Sequence, residues 1–193
     1  MDELFTFLNS IYPVSIELSN YLVSHLKQKS FHKKGLLLVE KQVSDKIYFI
    51  QKGIVRGFYN KNDKDISSWF MKEGDVVISI ESFFMQKESQ ENVQALEDTI
   101  VCYITYQELQ FMYQTYLEFN YIGRVLVERY YCLSEQRSYL LRMQTSSCKY
   151  YNLLENHPEL IRRVPSIYLA SYLGITLETL SRMKKPKSKG SVV

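Results

Sequence analysis

Glycine and proline are scarce in this chain, seven and four among 193 residues. That shortage excludes loop-rich, fibrous and low-complexity architectures, and no long linker is present. No stretch approaches the roughly 18 apolar residues of a membrane span. The N-terminal MDELFTFLNSIYPVSIEL lacks a basic segment leading into a continuous apolar run, so it does not read as a secretory signal, and a soluble cytoplasmic protein without a membrane partner is expected.

Cysteine and histidine are equally sparse. Cys102, Cys132 and Cys148 stand far apart, without CxxC-type spacing and too few for an all-cysteine iron–sulfur site; reduced, mostly buried thiols are expected. His25, His32 and His157 form no HxH or HExxH pattern, and GxSxG, phosphate-loop and GxGxxG motifs are missing. No metal, cofactor or catalytic constellation is expected.

What the chain has in quantity is apolar and aromatic side chains: 46% hydrophobic residues, with 16 Tyr and 10 Phe. A core for one main domain plus a small one is available. Residues 4 to 29 read as one or two helices broken near Pro13, with Leu18, Leu22 and Leu26 at helical spacing. Short runs rich in β-branched and aromatic residues follow at 36–40, 46–51, 54–60 and 66–72, separated by turn signals such as Lys52-Gly53 and Glu73-Gly74-Asp75. Further strands are expected over 76–80, 92–96 and 100–104. Many short strands at regular intervals imply an antiparallel barrel or jelly roll, giving an α+β chain with helices at both ends. Trp69, the single tryptophan, is assigned to the core.

From about Phe119 to Met143 the sequence sustains helix formers without proline. Ile122, Leu126, Leu133 and Leu140 make a 3/4-spaced stripe that suits a seam between two subunits, the competing reading being a helix packed on its own barrel.

Residues 166–185, SIYLASYLGITLETLSRMKK, place Leu169, Leu173, Ile175, Leu180 and Met183 where two short helices would pack across a tight turn. Ala170 permits close approach, Gly174 suits a positive φ, and Thr176 is a good N-cap for a second helix starting near Leu177. Leu177, Glu178, Ser181, Arg182 and Lys185 share the opposite face of that helix. Such a unit reads double-stranded DNA: Arg182 can pair with guanine and Glu178 with cytosine, while Thr176, Thr179 and Ser166 suit phosphate contacts. From Thr176 onward Arg182, Lys184, Lys185, Lys187 and Lys189 face one acidic residue, Glu178, whereas the whole chain carries only +3; Lys184 and its neighbours form a phosphate-tracking surface. A lone unit reads few bases, so a homodimer on a palindrome is expected.

The order barrel, long helix, helix-turn-helix resembles the Crp/Fnr family of bacterial transcription regulators. KKGLLLVEKQVSDKIYFIQKGIVRGFY (33–59) looks like a cyclic-nucleotide-binding-type barrel, Lys72-Glu73-Gly74-Asp75 looks like the Gly-Asp before that barrel's phosphate cassette, and GITLETLSR (174–182) looks like the family's recognition segment. The resemblance implies a sensor barrel over 1–116, a dimerisation helix over 117–144 and a helix-turn-helix domain with a basic tail over 145–193. It also implies an effector-dependent shift of paired long helices, the alternative being a permanently active reader controlled only by its concentration, and RNA polymerase as a further partner.

The cassette itself departs from the family. VVISIESFFMQKESQENVQAL has no Gly-Glu and only Lys87 as a basic residue, while Glu81, Glu88 and Glu91 would repel a cyclic phosphate. Cyclic AMP and cyclic GMP are therefore not expected to bind tightly. Ser79, Glu81, Ser82, Gln90, Asn92 and Gln94 are candidates for a polar pocket holding another small molecule, the alternative being solvated loop and strand-edge residues. Past the second helix, Pro186 stops the helix and a flexible basic tail replaces the family's β wing. A metal-dependent barrel enzyme lacks clustered ligands; a protein-interaction module without sequence-specific DNA binding is the second reading.

Overall fold

The computed structural model describes residues 2–62 and 64–184; Lys185 and the basic tail lie outside the described residues. The N-terminal helical region divides at Pro13 into α1 (Asp2–Ile11) and α2 (Ile16–His25). Ser15 starts α2 by accepting a hydrogen bond from the Leu18 amide. Leu18 and Leu22 then point inward and are buried. Helix ends earlier than the sequence predicts, because Lys27–Phe31 forms strand β1. Its first four residues are exposed, so no apolar alternation marks it; pairing with a distant strand defines it.

The barrel continues with β2 (Leu36–Leu38), β3 (Lys46–Lys52), β4 (Val55–Lys61), β5 (Lys64–Met71), β6 (Val76–Val77), β7 (Asn92–Ala95) and β8 (Thr99–Thr105). Two antiparallel sheets result, with strand orders β1-β8-β3-β6 and β2-β7-β4-β5. Non-sequential neighbours in both sheets make this the expected jelly roll. Phe31, Leu38, Tyr48, Ile50, Val55, Val77, Val93, Ala95 and Val101 fill it. The strand expected over 76–80 is corrected: only Val76 and Val77 pair, and helix α3 (Ile80–Met85) follows, anchored by the fully buried Phe83.

Helix α4 (Tyr106–Thr115) opens with a capping box in which Thr105 and Glu108 satisfy each other's backbone amides. Helix α5 (Leu117–Met143) is the long helix. Phe119 and Ile122 pack with Leu4, Leu8, Leu18, Leu22, Leu109 and Met112 against Phe49, Cys102 and Ile104 of the first sheet. The assignment of Ile122 to an intersubunit seam is corrected by this: Ile122 is fully buried in the chain's own core, on which the partly buried Leu126 packs. A 3/4-spaced stripe reports that a face is covered, not what covers it. Of the thiols only Cys102 is buried, and burial pushes it up to about 11; Cys132 and Cys148 are exposed, contrary to expectation.

Four short helices complete the described chain: α6 (Ser146–Asn156), α7 (Pro158–Arg163), α8 (Ser166–Leu173) and α9 (Leu177–Lys184). Thr145 caps α6, and Pro158 occupies the first turn of α7, where its missing N–H costs nothing. Tyr150, Leu153, Leu160, Val164, Leu169, Leu173 and Leu180 form their core, and Ile54 and Leu96 of the barrel join it. Among the described residues, no helix is long and apolar enough to cross a membrane.

Candidate functional site

The unit α8–α9 is built from the positions the sequence marks. Gly174 takes φ +64° and its amide closes α8 onto Ala170 and Ser171, so the chain reverses where a side chain would be strained. The Thr176 hydroxyl accepts the Thr179 amide at 3.2 Å and caps α9. Leu169 and Leu180 are fully buried between the helices, Leu173 is buried beside them, and Ile175 and Met183 pack on the cluster from its edge. This leaves Leu177, Glu178, Ser181 and Arg182 exposed together. An Arg182 Nη donates to the Thr179 hydroxyl at 3.3 Å. Hydrogen bonding from the start of α9, backbone first and then Thr176, lowers the Glu178 carboxyl below its ordinary range. Ser166 is half-buried and accepts from the Lys184 ammonium at 2.7 Å, so these two candidates are brought together rather than left separate.

Sequence reasoning missed how this helical head joins the barrel. Arg56 of β4 is 1% exposed, with its guanidinium held by both oxygens of Asp65 at 2.6 and 2.5 Å, by Ser67 and by Gln94. It stacks between two rings, Phe58 at 4.1 Å and Tyr168 of α8 at 3.6 Å. Ser171 of α8 donates to the Asp65 carbonyl and accepts the Ser67 amide of β5. Arg163 of α7 makes a fork with Glu73, at 2.9 and 2.7 Å, and also pairs with Glu97. That fork is the main reason the Glu73 carboxyl falls to about 2, with the Gly53 amide donating to it at 2.7 Å. Lys72 pairs with Glu159, and Phe70 packs on Tyr172. An arginine in the middle of a strand run carries no sequence signal that it will be covered.

A cavity of about 1710 Å³ opens between the barrel, α5 and the head. Of the six predicted pocket residues, Ser79, Glu81, Ser82 and Gln90 line it, whereas Asn92 and Gln94 do not. The placement of those two is corrected. Asn92 accepts the Glu40 amide and Gln94 accepts from Arg56, because both side chains leave β7 on the face away from the cavity. Ser82 is buried, accepting the Ser44 amide and donating to the Lys87 carbonyl, and Glu81 pairs with Lys87 at the surface. Neither the reading of these residues as a solvated rim nor that of a single polar cluster describes all six.

The cavity wall centres instead on Trp69 and Glu91, so Trp69 is not simply core. Gly57 makes this possible: a Cβ there would lie 2.2 Å from the indole, so only glycine lets the ring lie against β4. The indole N–H then donates to the Glu91 carboxylate at 3.0 Å. Glu91 is 7% exposed, and burial raises its carboxyl above the ordinary range, an effect partly opposed by hydrogen bonds from Ser79 and Trp69 and by the charge of Arg137 on α5. Helix α5 is pinned across the cavity mouth by Tyr130, whose hydroxyl accepts the Val76 amide at 2.8 Å; burial pushes that phenol up to about 12. Among the described residues no group of His, Cys, Asp and Glu is arranged to hold a metal ion.

Residues 28–116 match the family model of the cyclic nucleotide-binding domain. No curated protein matches the chain by sequence. Solved structures do match over most of its length. FixK2 from Bradyrhizobium japonicum aligns with TM-score 0.68 and 21% identity over 82% of each chain. The c-di-GMP responsive global regulator CLP from Xanthomonas campestris aligns with TM-score 0.66 and 16% identity over 88% of this chain and 89% of that one. A protein from Eubacterium rectale classed with the Crp/Fnr transcriptional regulators aligns with TM-score 0.71 and 13% identity over 95% and 86%. The chain thus has the fold of these regulators: a cyclic-nucleotide-binding-type jelly roll, a long helix and a small helical head.

Proposed function

We propose that this chain is a DNA-binding transcription regulator of the Crp/Fnr type that reads a palindromic site as a homodimer. The observation that carries the reading is α9, which hides Leu180 and presents Leu177, Glu178, Ser181 and Arg182 to solvent on one face. In this reading Glu178 and Arg182 meet base edges, and Thr176, Thr179, Ser166 and Lys184 contact phosphates. Residues 1–116 are the sensor, 117–144 the connecting helix and 145–193 the DNA-binding domain, with Lys185 and the tail adding charge. Dimerisation uses α5, where Val127, Tyr131, Leu133 and Tyr139 are exposed; these four and Leu140 also border the cavity.

The barrel, in this reading, no longer serves cyclic nucleotides. Its one cassette cation, Lys87, is paired with Glu81 on the surface, and the wall offers a buried carboxylate where a phosphate needs donors. Another small molecule sets the arrangement of barrel, α5 and head, and the head in turn engages RNA polymerase at a promoter.

Selection of binding sites from a random duplex library tests the proposal. Wild type should enrich a two-fold symmetric site, and a Glu178→Ala, Arg182→Ala double variant should not. No enrichment with or without added metabolites, together with indifference to charge removal at Arg182 and Lys184, would favour an interaction module instead.

A further inference from the structure

The cavity wall has a chemistry that the domain's name does not suggest. Glu91 is buried in its lining, and among the described residues no cation lies within ion-pair distance of it. Its partners from the barrel are the Trp69 indole and the hydroxyls of Ser79 and Ser89, and Tyr59 lines the same cavity. None of these carries positive charge. Arg137 of α5 feels Glu91 but reaches toward Tyr172, 5.9 Å from its ring centroid. The position of Glu91 is fixed from three sides: the indole N–H holds the carboxylate, the Ser89 hydroxyl accepts the Glu91 amide at 3.1 Å, and it donates to the Glu91 carbonyl at 2.9 Å. A carboxylate so held, in the lining of an accessible cavity that Trp69 and Tyr59 also line, is a receptor for positive charge.

We propose that the effector site of this barrel takes a small organic cation, an ammonium or guanidinium compound with an apolar body, whose charged end pairs with Glu91 and lies against Trp69 and Tyr59. The inference rests on the sensor reading above. The apolar body of the ligand would lie along Met71 and Tyr103 of the barrel and Leu133 of α5, which line the same cavity. A cyclic phosphate in this place would set its negative charge against Glu91.

The test is a titration of the whole chain with 3-phenylpropylammonium, 3-phenylpropanol, 3-phenylpropionate and cyclic AMP, following the fluorescence of Trp69, the only tryptophan. The four probes vary charge while three keep one skeleton. The ammonium should bind saturably and at least tenfold more tightly than the alcohol, the two anions should bind more weakly still, and Glu91→Gln should abolish the tenfold preference. Gln keeps an acceptor for the indole N–H, so the wall retains its shape. Absence of saturable ammonium binding, equal or tighter binding of the alcohol or either anion, or a preference that survives in Glu91→Gln would overturn the proposal. The order of affinities on wild type needs no variant, so a misfolded substitution does not void the test. Fluorescence is read without DNA, so a failure here is distinct from a failure of duplex selection.

Discussion

The guanidinium of Arg56, in the barrel, lies 3.6 Å from the ring of Tyr168, in the first helix of the α8–α9 unit. The head is therefore fastened to the barrel through a charge whose other partners, Asp65, Ser67 and Gln94, all belong to the barrel. Tyr168→Ala should remove the aromatic cover, weaken docking by about 1–2 kcal/mol and admit water to Arg56. Faster amide exchange in β5 and α8, with the rest of the barrel unchanged, would be the sign. Arg56→Ala should cost more, roughly 3–5 kcal/mol, because Asp65 is left without its cation.

The Glu73–Arg163 fork predicts a defined pH dependence. Glu73 titrates near 2 in the folded chain against an ordinary 4.5. Its folded value is depressed, so its contribution is complete above about 4.5 and is lost as pH falls toward 2. The carboxylate is more than a third exposed, and screening holds the contribution to about 1 kcal/mol. The stability difference between wild type and Glu73→Gln, from denaturant unfolding, should be constant from pH 8 to 5 and shrink below that.

On DNA, Arg182→Ala should lose roughly 1–3 kcal/mol and relax preference at one base pair. Lys184→Ala should weaken all duplexes alike and reduce the salt slope of binding by about one. Gel-shift titrations over a range of salt separate the two behaviours.

Gly57→Ala should displace the Trp69 indole, since the new methyl would lie 2.2 Å from the ring. A loss of about 1–3 kcal/mol and a changed tryptophan emission maximum are expected. Barrel melting followed by circular dichroism, alongside emission spectra, would check both.

Self-association should map to the exposed apolar residues of α5. Tyr131 is 66% exposed and Ile122 is fully buried. Tyr131→Glu should shift the chain to monomer in sedimentation while leaving its melting nearly unchanged, whereas Ile122→Glu should unfold it.

Much of this architecture was legible because local chemistry and tertiary structure agree. Gly174 and Thr176 occupy a turn and a cap that any two packed helices of this kind need, and the strand runs from Lys46 onward are rich in β-branched and aromatic residues and bounded by turn signals. Legibility failed where pairing partners decide. Strand β1 carries only exposed polar residues before Phe31, and VVISI reads as a strand although α3 begins at Ile80. The stripe Ile122–Leu126–Leu133–Leu140 was visible, but its partner was not. Arg56, Glu91 and Trp69 were missed as a group because their meaning depends on which sheet face each one takes and on what then covers it.

Strand β5 is the last strand of its sheet, and Ser171 occupies its outward-facing Ser67 amide and Asp65 carbonyl. The head thus serves the barrel as an edge protector. A signal that lifted α8 away would uncover backbone groups able to template pairing with another chain. Reorientation of the head would therefore carry a solubility cost.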